Sequence, residues 1–242
     1  MSLCIHSGGT VVAPEQLEHC FTPPATHTWT PIAHNTLLGR VKNTLSRAGW
    51  EIKNEQHALS REGNRYFGLM DIAVPSATDG DYGMTVGIRN SHDKSFPAGL
   101  CVGSHVFVCD NLAFSAEIKI ARKHTRWINE DLPGLVNKAV GRLGDLRRNQ
   151  DLRIAAYKQH EIGDRDTHDI LIQALDAKII GSTQLPDVLQ QWRHPNHPEF
   201  KERTAWSLFN GFTEVMKSNT MLAINRTHKL HGLMDSVCNV AL

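Results

Sequence analysis

Three observations predict an α+β fold. Runs in which apolar and polar residues alternate at a period of two fall in a β-rich section from about Trp50 to Ala121, and apolar residues recur at a three-four spacing through most of the chain after Trp127. A single short amphipathic run precedes both. The expected architecture is therefore an antiparallel β-meander preceded by a short helix and followed by a long basic helix and a helical C-terminal part.

Residues 1–33 contain no Lys or Arg, carry Pro14, Pro23, Pro24 and Pro31, and show no sustained period, so they read as an irregular N-terminal arm. Residues 34–242 read as one α+β domain, β-rich over 50–127 and helical over 130–240. Its first helix places Leu37, Leu38, Val41, Leu45 and Ala48 on one face behind an Asn35 or Thr36 cap, and Gly49 stops it. Strands are expected over Tyr66 to Val74 and over 82–90, where Tyr82, Met84, Val86 and Ile88 alternate with Gly83, Thr85, Gly87 and Arg89. Two more are expected over 100–109 and 112–120, joined by a tight two-residue turn at Asp110-Asn111. From Leu132 the helical spacing of Leu135, Val136, Ala139, Val140, Leu143 and Leu146 predicts a long helix reaching about Gln159. Further helices are expected near 167–179, 186–192, 202–218 and 220–236.

Composition excludes several classes. The chain is 40% hydrophobic and 21% charged, with 26 Lys plus Arg against 25 Asp plus Glu, an ordinary globular profile and neither a disordered nor a fibrous one. The five cysteines, Cys4, Cys20, Cys101, Cys109 and Cys238, form no C-x-x-C pair, and their odd number fits a reducing compartment. The N-terminal stretch lacks the positive start and apolar run of a signal peptide, and no apolar segment approaches the ~18 residues of a membrane span. A cytoplasmic protein without a membrane partner is expected. Walker-type, dinucleotide-binding and nucleophile-elbow glycine motifs are absent, so no nucleotide or other cofactor is expected.

Charge is segregated along the chain. Between Ile118 and Arg153 nine basic side chains face four acidic ones, a surplus of five in a chain whose total is +1. A basic strand end running into a basic helix can follow a phosphate backbone, each contact releasing counterions. The candidate nucleic-acid contacts are Arg89 and Lys94 in the polar loop 89–95, then Lys119, Arg122, Lys123, Arg126, Arg142 and Arg148. Few aromatics stand near these residues in sequence, which offers no base-stacking pattern. A catalytic alternative exists: Glu117-Ile118-Lys119 matches the E-x-K piece of magnesium-dependent nucleases, with Asp93 or Asp110 as the second carboxylate and Lys119 steadying the attacking water. Histidine is abundant, at fourteen residues, and the pairs His194/His197 and His228/His231 have a spacing that could share a metal, but neither has the partners of a zinc frame, so no metal site is expected.

Four stretches together resemble the phage/plasmid-like proteins, a domain-of-unknown-function family of prophages and plasmids. They are Gly87-Ile88-Arg89-Asn90-Ser91-His92-Asp93-Lys94-Ser95, Cys109-Asp110-Asn111-Leu112-Ala113-Phe114, Arg122-Lys123-His124-Thr125, and Thr204-Ala205-Trp206 through Asn210 with Thr213-Glu214. The resemblance covers roughly residues 35 to 235 and implies a mobile-element setting without fixing an activity. The order of elements, a helix ending in Gly49-Trp50, strands, and a meander feeding a basic helix, is also similar to that of phage single-strand annealing proteins. That likeness implies a homo-oligomer holding single-stranded DNA in a groove lined by Lys and Arg, without ATP. The function expected is nucleic-acid binding, single-stranded DNA foremost, in recombination or DNA protection. Its alternatives are the magnesium-dependent nuclease and a non-enzymatic inhibitor that binds a host defence protein.

Overall fold

The computed structural model describes residues 9–73, 82–106, 111–113, 119–216 and 220–241. The fold is α+β, with one helix ahead of the main sheet and helices after it, as the periodicities predict. The chain forms two compact units, Met1–Gly103 with Glu117–Leu143, and Ser104–Ala116 with Gly144–Leu242.

The strands are β1 (Thr10–Val12), β2 (Glu51–Ser60), β3 (Arg65–Ala73), β4 (Tyr82–Ser91), β5 (Ala98–Val106), β6 (Asn111–Ala113) and β7 (Lys119–Arg122). In the first unit they follow the order β1-β2-β3-β4-β5, with β7 beyond β5, and β1 with β2, β2 with β3, β3 with β4 and β5 with β7 pair antiparallel. Sequential neighbours pair because each connection is short, the simplest solution for a meander. On β3 and β4 the side chains Tyr66, Met70, Ile72, Met84, Val86, Ile88 and Asn90 are buried on one face. Helix α1 (His34–Arg47) contacts β2 and β4 and buries Leu37, Leu38, Val41 and Leu45, while α2 (Ile128–Gly141) packs on α1 and β7. The core of this unit therefore lies between the sheet and the two helices. Gly49, at φ +81°, closes α1 and lets Trp50 N–H reach the Leu45 carbonyl at 3.0 Å.

Two expectations are corrected. Asn111, expected in a tight turn with Asp110, lies in β6 opposite Val106, with Ser104 opposite Ala113, while Asp110 is outside the described residues. Residues 114–118 of the run 112–120, expected as one strand, lie outside the described residues; its described ends, β6 and β7, both pair antiparallel with β5, where Ala98 lies opposite Arg122 and Cys101 opposite Lys119. The long basic helix is two helices, α2 and α3 (Leu143–Gln159), parted at Arg142.

The second unit is mainly helical: the rest of α3, then α4 (Asp164–Asp176), α5 (Leu185–Arg193), α6 (Ala205–Met216) and α7 (Thr220–Val237). Every residue of α6 from Ala205 to Thr213 is buried, so it is the central helix, packed by α5 and α7. The Thr204 hydroxyl accepts the Ser207 N–H and sets its start. Arg153 makes two 2.8 Å bonds to the Asp235 carboxylate, which also accepts the Tyr157 hydroxyl proton at 2.6 Å, cross-bracing α3 and α7. Burial, with Asp235 beside it, pushes the Tyr157 hydroxyl far up, so it remains a donor.

Glycine is indispensable at Gly68 on β3. It lies opposite His57, whose Nδ1 is 3.0 Å from the Tyr66 hydroxyl, and a Cβ at Gly68 would collide with that hydroxyl. Gly68→Ala should therefore break the buried His57–Tyr66 bond and cost about 1–3 kcal/mol. A fall in Tm of roughly 2–4 °C per kcal/mol, read by calorimetry, is the expected result.

Candidate nucleic-acid interface

Asn90 sits in phase with the apolar residues of β4, so its carboxamide points into the core. There its Nδ2 donates to the Ile32 carbonyl at 2.7 Å and to His34 Nδ1 at 2.9 Å, and its Oδ1 accepts from His124 Nε2 at 2.7 Å. His34 Nε2 in turn donates to the Gly63 carbonyl at 2.8 Å. These partners fix the tautomers: both His34 and His124 carry their proton on Nε2. His92 stacks on His34 with ring centroids 3.9 Å apart, and its two nitrogens face the carbonyls of Phe21 at 3.0 Å and Ile32 at 2.9 Å. A neutral ring donates to one of those carbonyls and an imidazolium to both. One buried network thus joins the N-terminal arm (Phe21, Ile32), the start of α1 (His34), the β2–β3 turn (Gly63), the end of β4 (Asn90, His92) and the segment after β7 (His124).

Burial, and after it the neighbouring His92 ring, lowers His34 and His124 to about 4. Burial likewise lowers His57.

The network sets where three loops stand, and cations meet aromatic rings on them. Lys94, whose backbone is left-handed at φ +63°, holds its Nζ 4.8 Å from the centre of the Trp29 ring. Trp29 lies 6.4 Å from the His124 ring, and Thr30 N–H bonds the His124 carbonyl at 3.0 Å. Arg126 stands 4.7 Å from the Trp127 ring, which is 48% exposed. On the other face of β3 and β4, Arg89 and Arg65 lie 5.5 and 6.0 Å from the Phe96 ring, itself packed on Phe67. Gly99 makes that path possible, since a Cβ there would press on Arg89 Nε at 3.1 Å.

The structure divides the sequence-predicted cations. Arg89, Lys94, Lys123, Arg126 and Arg142 belong to the first unit and have no acidic partner among the described residues; Lys94, Lys123, Arg126 and Arg142 are exposed. Arg122 is instead bound to Asp131 and Thr125, and Arg148, in the second unit, to Asp145. Lys119 is in β7, with its side chain outside the described residues. Of the nuclease set, Asp110 and Glu117 also lie outside them. Asp93 is bound to Arg65 Nε at 2.7 Å and caps Ser95 N–H at 3.0 Å; although burial acts upward, the Ser95 and Arg65 donors hold it at about 2. Among the described residues, no three His, Cys, Asp or Glu side chains are grouped to hold a metal. His231 is buried against Phe209 and Tyr157 while His228 is exposed, and His197 lies edge-on to Phe200. No helix is long and apolar enough to cross a membrane among the described residues.

Sequence reasoning missed Trp29, which meets Lys94 from the N-terminal arm, missed Phe96 with Arg65 and Arg89 against its ring, and missed the roles of Asn90 and His124. Asn90 carried a usable signal, being polar at a position in phase with Met84, Val86 and Ile88.

These features define a chain of two α+β units in which a buried histidine–asparagine network carries loops rich in cation–aromatic pairs. The family model described as Domain of unknown function (DUF932) matches residues 25–234, and the chain belongs to that family. No curated protein and no solved structure matches it.

The network gives a signed pH dependence. His34 and His124 titrate at about 4 folded against an ordinary 6.5, so between these values the unfolded chain binds more protons. Their contribution is complete above pH 6.5 and is lost as pH falls to about 4; Tm followed across that window should fall. Asn90→Ala, which strands His124 and the Ile32 carbonyl, should cost at least about 1–3 kcal/mol at neutral pH in urea unfolding.

Proposed function

We propose that this chain binds nucleic acid, single-stranded DNA foremost, through the first unit. The observation that carries this reading is that five of the eight cations singled out in the sequence, Arg89, Lys94, Lys123, Arg126 and Arg142, have no acidic partner among the described residues and fall in one unit. An exposed cation left unpaired contributes little to folding. Against a phosphate backbone the same charge releases a counterion. The left-handed backbone at Lys94 is a local cost of the kind that accompanies functional loops.

The setting belongs to the same proposal: a cytoplasmic protein of a mobile element, acting as a homo-oligomer in recombination or DNA protection without ATP. Its support is the resemblance to phage/plasmid-like proteins and to the element order of single-strand annealing proteins. Light scattering with and without oligonucleotide tests the oligomer.

Fluorescence anisotropy with single- and double-stranded oligonucleotides over a salt series tests the binding. Tight, salt-sensitive binding is expected, and Lys123→Glu with Arg126→Glu should reduce the salt slope by roughly 1.4, about 0.7 per lost phosphate contact on a single strand. Arg148→Ala, which removes a charge already matched by Asp145, should leave affinity little changed. Absence of binding at low salt would refute the reading.

A further inference from the structure

We infer that Phe21, Trp29 and Trp127 are stacking platforms for the unpaired bases of a single strand, so that the first unit holds its ligand by base faces as well as by phosphates. This inference rests on the nucleic-acid reading and gives it a chemical specificity.

Among the described residues the exposed large apolar side chains are Val11, Phe21, Trp127, Leu152 and Ile172, and the only aromatic ones, Phe21 at 76% and Trp127 at 48% exposure, both belong to the first unit. Phe21 stands on backbone held by the buried network and Trp127 on the start of α2. The Phe21 carbonyl is bonded to His92, and Trp127 follows three residues after His124, with its own carbonyl accepting the N–H of Glu130 and of Asp131 at 3.0 Å each. Trp29, half-buried, stands on the arm segment whose Thr30 N–H meets the His124 carbonyl. A ring kept in water on fixed backbone gains nothing for folding from its apolar surface, whereas it loses little entropy when a flat partner covers it.

Charge identifies the partner. Arg126 stands against the Trp127 ring and Lys94 against Trp29, and Lys123, three residues before Arg126, is exposed. A flat apolar ligand edged by negative charge matches this arrangement, and a nucleotide with its base unstacked is that ligand. A protein partner that used these rings as an apolar anchor would have to bury the cations beside them, at a desolvation cost that a phosphate avoids. Base pairing hides the faces of bases in a duplex, so stacking favours single strands without reading base edges.

The test compares oligothymidylate with an abasic oligonucleotide of the same length and the same phosphate backbone, by competition anisotropy at one salt concentration. Stacking on aromatic rings is worth about 1–3 kcal/mol per base, so the wild-type protein should prefer oligothymidylate by roughly 5- to 150-fold for each base engaged. Trp127→Ala and Phe21→Ala should each shrink that preference while leaving affinity for the abasic strand unchanged, and Trp127→Phe should restore part of it. Both are surface truncations, and an unchanged Tm confirms that each variant is folded. Equal affinity of the wild type for the two strands overturns the stacking inference and leaves the phosphate-binding reading standing. A preference that survives Trp127→Ala and Phe21→Ala together with Trp29→Ala overturns the assignment to these rings. No binding to either strand overturns both readings.

Discussion

The carboxamide of Asn90 is the interaction on which the first unit depends. It is buried on the core face of β4, where an unbonded amide would cost about 1–3 kcal/mol, and it avoids that cost only because three chain segments come to it: Ile32 of the arm, His34 at the start of α1 and His124 after β7. Apolar packing is non-directional and would tolerate several placements of these segments. Three hydrogen bonds from one planar group tolerate few. The loop positions of Trp29, Lys94 and Arg126 therefore follow from a polar contact inside the core.

Part of the abundance of histidine finds its explanation here. His34, His57, His92, His124 and His231 are all buried. An imidazole can donate from one nitrogen and accept at the other while its faces stack, which suits a position that must bond a carbonyl on one side and an amide on the other. His34 does this between Gly63 and Asn90, with His92 stacked on its face. His34 fills this role in its neutral form, and burial keeps His34 and His124 neutral by moving their titration to about 4.

Periodicity made the elements legible. The α1 pattern, the alternation of β4, and the helices over α4 to α7 follow from which residues are apolar and how far apart they stand. What periodicity does not carry is register and long-range pairing. The pattern from Leu112 to Ile120 does not state which residues of β5 it meets, and the apolar spacing from Leu132 to Leu146 continues across Arg142, where one helix ends and the next begins. The candidate site was half legible for the same reason. Arg89, Lys94, Lys123 and Arg126 were visible as charges, but whether a charge is left over depends on contacts at a distance. Arg122 is neutralised by Asp131, nine residues on, and Lys94 meets Trp29, which no local pattern connects to it.

The frame and the charge respond to acid in opposite directions, and this separates a built site from a merely basic surface. Below pH 6.5 histidines acquire protons and the chain becomes more positive, so a simple polycation would bind a phosphate backbone more tightly as pH falls. His34 cannot take that proton without losing its acceptor role toward Asn90, and a charged His124 would sit against His92 in the same buried network. If the loops owe their placement to this network, affinity for a single strand should weaken from pH 6.5 toward 4 despite the added charge. Affinity that rose steadily over the same range would show that the cations act without the frame, and the buried histidines would then serve the fold alone.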